Sequence, residues 1–482
     1  MNAARNENEE FPPTLCILEK ARSSLSYERC RSLRELAAQE KDFSLPDNVS
    51  AGTSLKTGLI LADSSSIALR TRGSRLLGYR VSHLAVSDDR VISGNVRCPA
   101  YEHYCCDLLG LRNVQTRLPS KGEPVEPISD RTVKDSLLFG EICDRSVRSG
   151  GLNIRPYMGT EAVWSLARAV ADKTGVPVTV EAPPPELCSK VNDKGWFATQ
   201  VRRVLGAEST PAFFVAHTPD ELTTGVTQFA LLYSELCIKL PNSAGSLGNL
   251  RVDSQQLKGL DRRKLRAHLV ALMDQAGWRS PFPLQVEAWR NRVLSSPSVQ
   301  LWIPRQGVLI AEGIFQQCLS DQGEFEGAEP AELPPDLSRR ILDEAFELGF
   351  YLQSLGYYGR CSMDAILVGD QLNTCHLQWI ECNGRWGGAS IPMTLFNRLG
   401  IDWRKGTVRA VAAKVPNEPL SFEQILQNLD DLLFQGEHGV ILLTPTRLER
   451  GDGLDCALVA SSQGELDELF GKVQSRLGID TA

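Results

Sequence analysis

The sequence has little that would tie it to a membrane, a nucleic acid or a cross-linked scaffold. No apolar run approaches the roughly 20 residues that a bilayer-spanning helix needs. Lysine and arginine together number 52 against 59 acidic residues, a net charge of −7. No basic stripe or aromatic-interleaved patch breaks that balance, which argues against a nucleic-acid partner. There are only 6 histidines, none in a metal or catalytic spacing, and no nucleophilic triad is evident. The 13 cysteines follow no regular spacing and contain no CxxC pair. Cys105 and Cys106 are adjacent, which disfavours a relaxed disulfide between them. With Met1–Pro13 polar and acidic rather than apolar, reduced thiols and a cytoplasmic location are expected. No repeat or low-complexity tract is seen. What is present is an ordinary globular composition, 482 residues with 42% hydrophobic and 23% charged, enough for several domains with sizeable cores.

The most informative stretch is Gln378-Trp379-Ile380-Glu381-Cys382-Asn383-Gly384-Arg385, preceded by the strand-like Met363–Val368 and a polar turn at Gly369–Asn373. In an extended chain alternate side chains share a face, so Glu381, Asn383 and Arg385 project together while Cys382 turns away into packing. The turn separates two apolar runs as a hairpin does. If Val368 pairs with Leu377, Asp364 falls opposite Glu381. Facing carboxylates repel, and a divalent cation between them removes the repulsion; Mg²⁺ prefers a few hard oxygens plus substrate phosphates. Asp364, Glu381 and Asn383 supply such a set, with Mn²⁺ an alternative ion. A solvated strand is the other reading of an isolated Glu-x-Asn.

Two upstream features favour the first reading. Glu235–Leu240 reads as a strand delivering Lys239 into the small-residue loop Pro241–Asn249, whose backbone N–H groups can close over phosphate oxygens. Further back, Asn192-Asp193-Lys194-Gly195-Trp196-Phe197 opens an amphipathic helix with Asp193 placed to cap it.

This order of parts resembles the ATP-grasp ligases: a lysine at a helix start, a lysine-ending strand, a glycine-rich loop, a nucleotide hinge, then an acid followed by Glu-x-Asn-x-Arg. Within that superfamily, Leu377–Thr394, with Asn383-Gly384-Arg385-Trp386-Gly387-Gly388 and Ser390-Ile391-Pro392, looks most like the pheganomycin-type peptide ligases. Ile154–Thr160 resembles their pre-ATP-grasp segment, and the likeness extends over roughly residues 60 to 480. The resemblance implies that Lys194 and Lys239 bind ATP, with Ser243, Gly245, Ser246 and Gly248 in the mobile phosphate loop. Val286-Glu287-Ala288-Trp289 would be the hinge, its backbone reading adenine at Glu287 and Ala288 and the Glu287 carboxylate holding the ribose. Asp364, Glu381 and Asn383 match magnesium ligands, and Arg385 matches the cation that steadies an acyl phosphate. Gln316, Gln317 and Gly327 also resemble family positions.

One departure stands out. Several amino-acid ligases carry an arginine two residues before the first metal acid, where this chain has Ser362. Arg360 lies four before it; the even offset keeps it on the metal face, within reach of a substrate carboxylate or acyl phosphate, with a surface arginine as the other reading.

The implied chemistry needs no triad, because positioning and charge neutralisation supply most of phosphoryl-transfer catalysis. A carboxylate attacks the γ-phosphate of ATP, and an amine then displaces phosphate from the acyl phosphate. Arg385 and backbone donors around Gly387 and Gly388 are expected at the oxyanion. The resemblance implies that an amino acid or peptide supplies the amine; no biotin-carrier sequence or glutaminase-type cysteine site suggests otherwise. A small-molecule kinase on the same scaffold, or a silent nucleotide binder, are the alternatives.

The expected architecture is α/β: a partly disordered and helical segment over 1–50, a Rossmann-like domain over 51–185, an ATP-grasp core over 186–405 and a small α/β domain over 420–482. Leu15–Lys41 reads as helical, Ala162–Lys173 as a helix ending at Gly175, and Ala182–Pro185 as a linker. Ile341, Ala345, Leu348, Leu352 and Leu355 form the buried stripe of another helix. Trp302 reads as packing, while Gln300, on the same strand, is a candidate to face substrate. The C-terminal domain should hold two strands and two helices; whether it caps the acceptor site or supports a homodimer is open.

Overall fold

The computed structural model describes residues 21–22, 25–45, 48–54, 56–63, 77–94, 96–123, 125–243, 248–278, 282–320, 323, 325–404, 407–413, 419–445 and 454–479. A short strand, β1 (Ala21–Arg22), and a helix, Tyr27–Ala37, lead into the first sheet. Of the expected Leu15–Lys41 helical region, Leu15–Lys20 lies outside the described residues, and within the rest the helix spans Tyr27–Ala37. Ser26 accepts from the Arg29 N–H at 3.2 Å and starts the helix there, while Ala21 and Arg22 pair with a later strand.

The first sheet contains β2 (Val49–Ala51), β3 (Thr57–Leu61), β4 (Arg90–Ile92), β5 (Gln115–Arg117), β6 (Leu152–Pro156) and β7 (Val178–Val180). Their order is β2-β7-β6-β3-β4-β5, with every pairing parallel. Leu59, Ile60 and Leu61 are wholly buried, as befits a strand covered on both faces. The helix Glu161–Thr174 is capped by Thr160 and ends at Gly175, whose φ of 69° suits a residue without Cβ. This is the Rossmann-like layer expected from sequence. The Ala182–Pro184 run leaving it is buried, and the Trp164 indole donates to the Pro183 carbonyl at 3.0 Å. It connects the layers as packed structure rather than as an exposed linker.

Next comes an antiparallel lobe of β8 (Phe213–Ala216), β9 (Glu235–Lys239), β10 (Asn249–Asp253) and β11 (Leu284–Ala288), ordered β10-β9-β11-β8. The helices Pro219–Leu232 and Arg262–Gln275 cover its apolar face through Leu222, Val226, Leu265 and Leu269.

The largest sheet holds β12 (Val293–Ser295), β13 (Pro297–Ile303), β14 (Ile310–Leu319), β15 (Phe325–Pro330), β16 (Gly359–Val368), β17 (His376–Asn383), β18 (Thr407–Ala413), β19 (Gly439–Leu442) and β20 (Leu454–Ala460). Its main path runs β12-β16-β13-β14-β15-β18-β20-β19, with β17 beside β16 and β1 beside β14. The 20-residue helix Pro335–Ser354 lays the expected Ile341, Ala345, Leu348 and Leu352 stripe on one face of β13 and β16. The two helices expected of the C-terminal part are present, as Phe422–Leu429 and Gln463–Leu477. Their two strands, however, continue the central sheet through β18 instead of forming a sheet of their own. Gly327 permits that junction: a Cβ there would lie 2.3 Å from the Ala410 carbonyl oxygen.

Every cysteine among the described residues is a free thiol. No helix among them is long and apolar enough to cross a membrane.

Candidate functional site

Strands β16 and β17 set two carboxylates face to face, Asp364 directly opposite Glu381 and Ser362 opposite Asn383. The register differs by one from that expected at the turn, since Val368 pairs with His376 and Leu367 with Leu377. A bulge between Asp364 and Ala365 corrects it: Trp379 pairs with Ala365 and Glu381 with Asp364, leaving Ile380 as the extra residue. Cys382 turns to the opposite face and is buried in the apolar core.

The acids are tied into a network. Ser298 Oγ on β13 donates to Asp364 Oδ1 at 2.5 Å. Asn383 Nδ2 donates to Asp364 Oδ2 at 3.0 Å and to Glu381 Oε1 at 3.4 Å, while its Oδ1 accepts from Arg385. The Asn383 amide thus stands between the carboxylates where a cation would otherwise screen them. Gln317 also acts to favour the Asp364 carboxylate. Burial, and then the neighbouring Glu381, push the Asp364 carboxyl up to about 7. Burial also acts upward on Glu381, but Lys194, Lys239 and Arg385 together outweigh it and hold that group below the usual carboxylate range.

Among the described residues no three His, Cys, Asp or Glu side chains converge as a metal cluster. The set here is two acids and an amide. Its hard oxygens, and the raised proton affinity of Asp364, fit a divalent cation such as Mg²⁺ that completes its shell with substrate oxygens.

The two lysines approach from the other side. Lys194 opens the helix Lys194–Leu205, whose N-cap Asp193 accepts from the Trp196 N–H at 2.9 Å. Its Nζ lies 3.0 Å from Glu381 Oε2 and donates to the Ser243 carbonyl at 2.9 Å and to Ser243 Oγ at 3.1 Å. Lys239, ending β9, forms a buried ion pair with Glu287 on β11. Burial pulls the Lys239 amine down, but Glu287, with Cys237 and Glu381, more than offsets this and the net direction is upward. Glu287 is therefore engaged with Lys239 rather than standing free for a ribose. Gln285, which sequence reasoning missed, donates to the same carboxylate at 3.2 Å.

The loop between the lysines closes at its base, where the Leu240 N–H donates to the Gly248 carbonyl at 2.8 Å. A Cβ at Gly248 would stand 2.2 Å from Ser243 Oγ, so glycine is required there. Gly245 and Ser246 lie outside the described residues. At the hinge the Ala288 N–H donates to the Ala212 carbonyl at 2.9 Å and the Trp289 N–H to Glu235 at 3.0 Å. Those two donors are consumed by the lobe itself, which alters the adenine contact expected of Ala288. Gly387 likewise gives its N–H to Ser390 Oγ at 2.8 Å, removing it from the expected oxyanion donors.

Arg385 is buried, bridges to Met158 and borders Trp386, whose N–H donates to the Tyr157 carbonyl at 3.1 Å. The Ile154–Thr160 segment thereby meets the site. Arg360 is buried as well, so it is not a surface arginine. Its guanidinium pairs with Glu312 and lies 4.8 Å from the ring centroid of Trp386 and 5.9 Å from that of Trp302. Glu312 escaped sequence reasoning. A lone acid in the apolar run Leu309–Phe315 was the available signal.

No family model and no curated protein matches this sequence. Solved structures do resemble the fold. The biotin carboxylase domain of 2-oxoglutarate carboxylase from Hydrogenobacter thermophilus, in complex with MgADP, ADP and bicarbonate, matches with a TM-score of 0.53 at 13% identity, over 89% of this chain and 91% of that one. N5-carboxyaminoimidazole ribonucleotide synthetase from Thermus thermophilus matches at 0.53 and 15%, over 88% and 99%. N5-carboxyaminoimidazole synthase from Aspergillus clavatus, bound to ADP and 5-aminoimidazole ribonucleotide, matches at 0.53 and 13%, over 88% and 98%. At such identities the likeness establishes the fold, an ATP-grasp arrangement of α/β layers. None of the three is a peptide ligase, so that narrower resemblance rests on the sequence motifs.

Proposed function

We propose that this chain is an ATP-dependent carboxylate–amine ligase that forms an amide or peptide bond through an acyl phosphate, releasing ADP and phosphate. The observation that carries the reading is the carboxylate pair of buried Asp364 and half-buried Glu381, in register on β16 and β17, with Lys194 and Arg385 brought to the same network. The bound nucleotides of the neighbouring structures agree with ATP as the phosphoryl donor.

In this reading Lys194 and Lys239 neutralise phosphate charge, and the Ser243–Gly248 loop closes over the phosphate oxygens. Glu287 orients Lys239 rather than touching the ribose, and the hinge around Ala288 lines the base through groups other than the consumed N–H donors. Mg²⁺, held by Asp364, Glu381 and Asn383, would supply charge neutralisation at the β- and γ-phosphates. A substrate carboxylate oxygen attacks the γ-phosphorus and ADP leaves. The amine nitrogen then attacks the acyl carbon, the C–O bond to phosphate breaks, and a proton leaves the nitrogen. Arg385 balances the oxyanion. With Lys194, Lys239, Asp364 and Arg385 buried, these charges act more strongly than they would in water. An amino acid or peptide is the proposed amine, in the making of peptide or amino-acid-derived natural products.

The test is chromatography of nucleotide products after incubating the protein with ATP, Mg²⁺ and pooled carboxylic and amino acids. ADP formed only when both an acid and an amine are present supports ligation. ADP formed with no amine present indicates a kinase, AMP indicates adenylation, and no turnover of any pool indicates a silent binder.

A further inference from the structure

The polar face of the central sheet continues past the two acids. Ser298 pairs with Asp364, Gln300 with Ser362, and Trp302 with Arg360, so β13 and β16 carry a row of polar side chains leading away from Asp364. At about 3.3 Å per residue, Gln300 stands roughly 7 Å along the row and Arg360 roughly 13 Å. Strand β14 adds one more group. Gln300 pairs with Gly313 and Leu301 with Ala311, so Glu312 is the bulged residue between them, turned onto Arg360.

This end of the row holds buried hydrogen-bonding capacity that the described residues do not satisfy. Arg360 Nε and Nη2 have no partner there, and neither does Gln300 Oε1. Arg360 is 4% exposed and Gln300 1%. The direction of the Gln300 amide follows from its neighbours. Ser298 Oγ donates to Asp364 Oδ1 and accepts from Gln300 Nε2, at 2.9 Å, so Gln300 Oε1 faces the other way. The result is a pair of donors on the far side and one acceptor nearer the acids.

Charge decides what fits. Arg360 and Glu312 already neutralise each other, so a simple carboxylate would add an uncompensated buried charge, whereas a dipolar ligand would not. We propose that Arg360, Glu312 and Gln300 form a subsite for an α-amino acid, its carboxylate on Arg360 Nε and Nη2 and its amino group on Gln300 Oε1. This deepens the ligase reading and rests on it. Because Gln300 lies nearer Asp364, the amino end faces the reacting centre and the carboxylate faces away. The amino acid in this subsite is the amine acceptor, not the acid that is activated.

The full-length protein saturated with MgADP provides the test, read by tryptophan fluorescence, since Trp302 and Trp386 flank Arg360. The protein α-amino acids are titrated singly, each beside its desamino acid and its decarboxylated amine. At least one amino acid is expected to bind, with both truncated analogues weaker by about tenfold or more, the order for a lost hydrogen bond to a charged group. Glu312→Gln leaves Arg360 uncompensated and should reverse the preference toward the desamino acid. Gln300→Leu should weaken the amino acid by about tenfold and leave the desamino acid within about twofold; it carries the test if Glu312→Gln does not fold. Equal binding of amino and desamino acids, or binding of none while MgADP binds, overturns the subsite but leaves the ligase reading intact. Failure to bind MgADP overturns both.

Discussion

Strands β13, β16 and β17 present two faces that are chemically opposite, the apolar one wholly buried and the polar one buried on β13 and β16 and half-buried at Glu381 and Asn383. One face carries Val299, Leu301, Cys361 and Met363, each 0% exposed, and packs on the helix Pro335–Ser354. The other carries Gln300, Arg360 and Asp364 at 1%, 4% and 6%, with Glu381, Asn383 and Arg385 beside them. Burying a Leu or Val contributes about 1.5–3 kcal/mol, whereas a buried polar group without a partner costs about 1–3 kcal/mol. The apolar face is thus explained by folding alone, and the polar face is not. In the proposed reading a ligand completes this face, and the apolar face supplies the stability that lets it persist.

If that contrast is right, substitutions on the two faces should fail in different ways. Glu381→Gln keeps the size of the side chain and removes a charge. It should lower turnover by roughly 10³-fold, the scale of losing a principal electrostatic contact at a reacting phosphate, while the protein stays folded with a somewhat lower melting temperature from the lost Lys194 ion pair. Loss of folding would instead make Glu381 structural and erase the contrast. On the other face, Met363→Ala should cost about 2–5 kcal/mol, read as a lower denaturant midpoint, with MgADP affinity within about twofold. A large drop in affinity there would mean the faces are not separable. Cys382→Ser, between two proposed ligands but turned into the core, should cost about 1–3 kcal/mol by placing a hydroxyl among apolar groups, with activity retained.

The smallest effect concerns pH. The Asp364 carboxyl is raised from an ordinary 3.8 to about 7, by burial and then by Glu381. A raised folded-state value favours the native state fully below the unfolded value, and that contribution is lost as pH rises through the folded one. Asp364→Asn should therefore match the wild type in stability near pH 4 and become the more stable protein as pH approaches 7 and above. Melting curves across that range check the sign, and a variant less stable at neutral pH would contradict it.

Much of the site was legible because it follows the period-2 rule and local caps. Alternation placed Glu381, Asn383 and Arg385 together and turned Cys382 away, and Asp193 announced the helix that carries Lys194. The facing of Asp364 and Glu381 was foreseen from a register that is off by one at the turn, and holds because Ile380 bulges out. Glu312 was not legible, since a bulge breaks the alternation by which a strand is read. Nor could local sequence show that Glu287 pairs with Lys239, that the Ala288 N–H is consumed, or that β19 and β20 join the central sheet. Each depends on pairing between distant segments, which no local pattern encodes.

The central claim is that the polar face of β13, β16 and β17 generates an acyl phosphate. Trapping with hydroxylamine tests it most directly: wild type and Glu381→Gln are incubated with ATP, Mg²⁺ and a pool of carboxylic acids, and hydroxamates are identified by mass. Hydroxamate with stoichiometric ADP from the wild type, and none from the variant, is the predicted result. AMP in place of ADP, or undiminished hydroxamate from the variant, would contradict it.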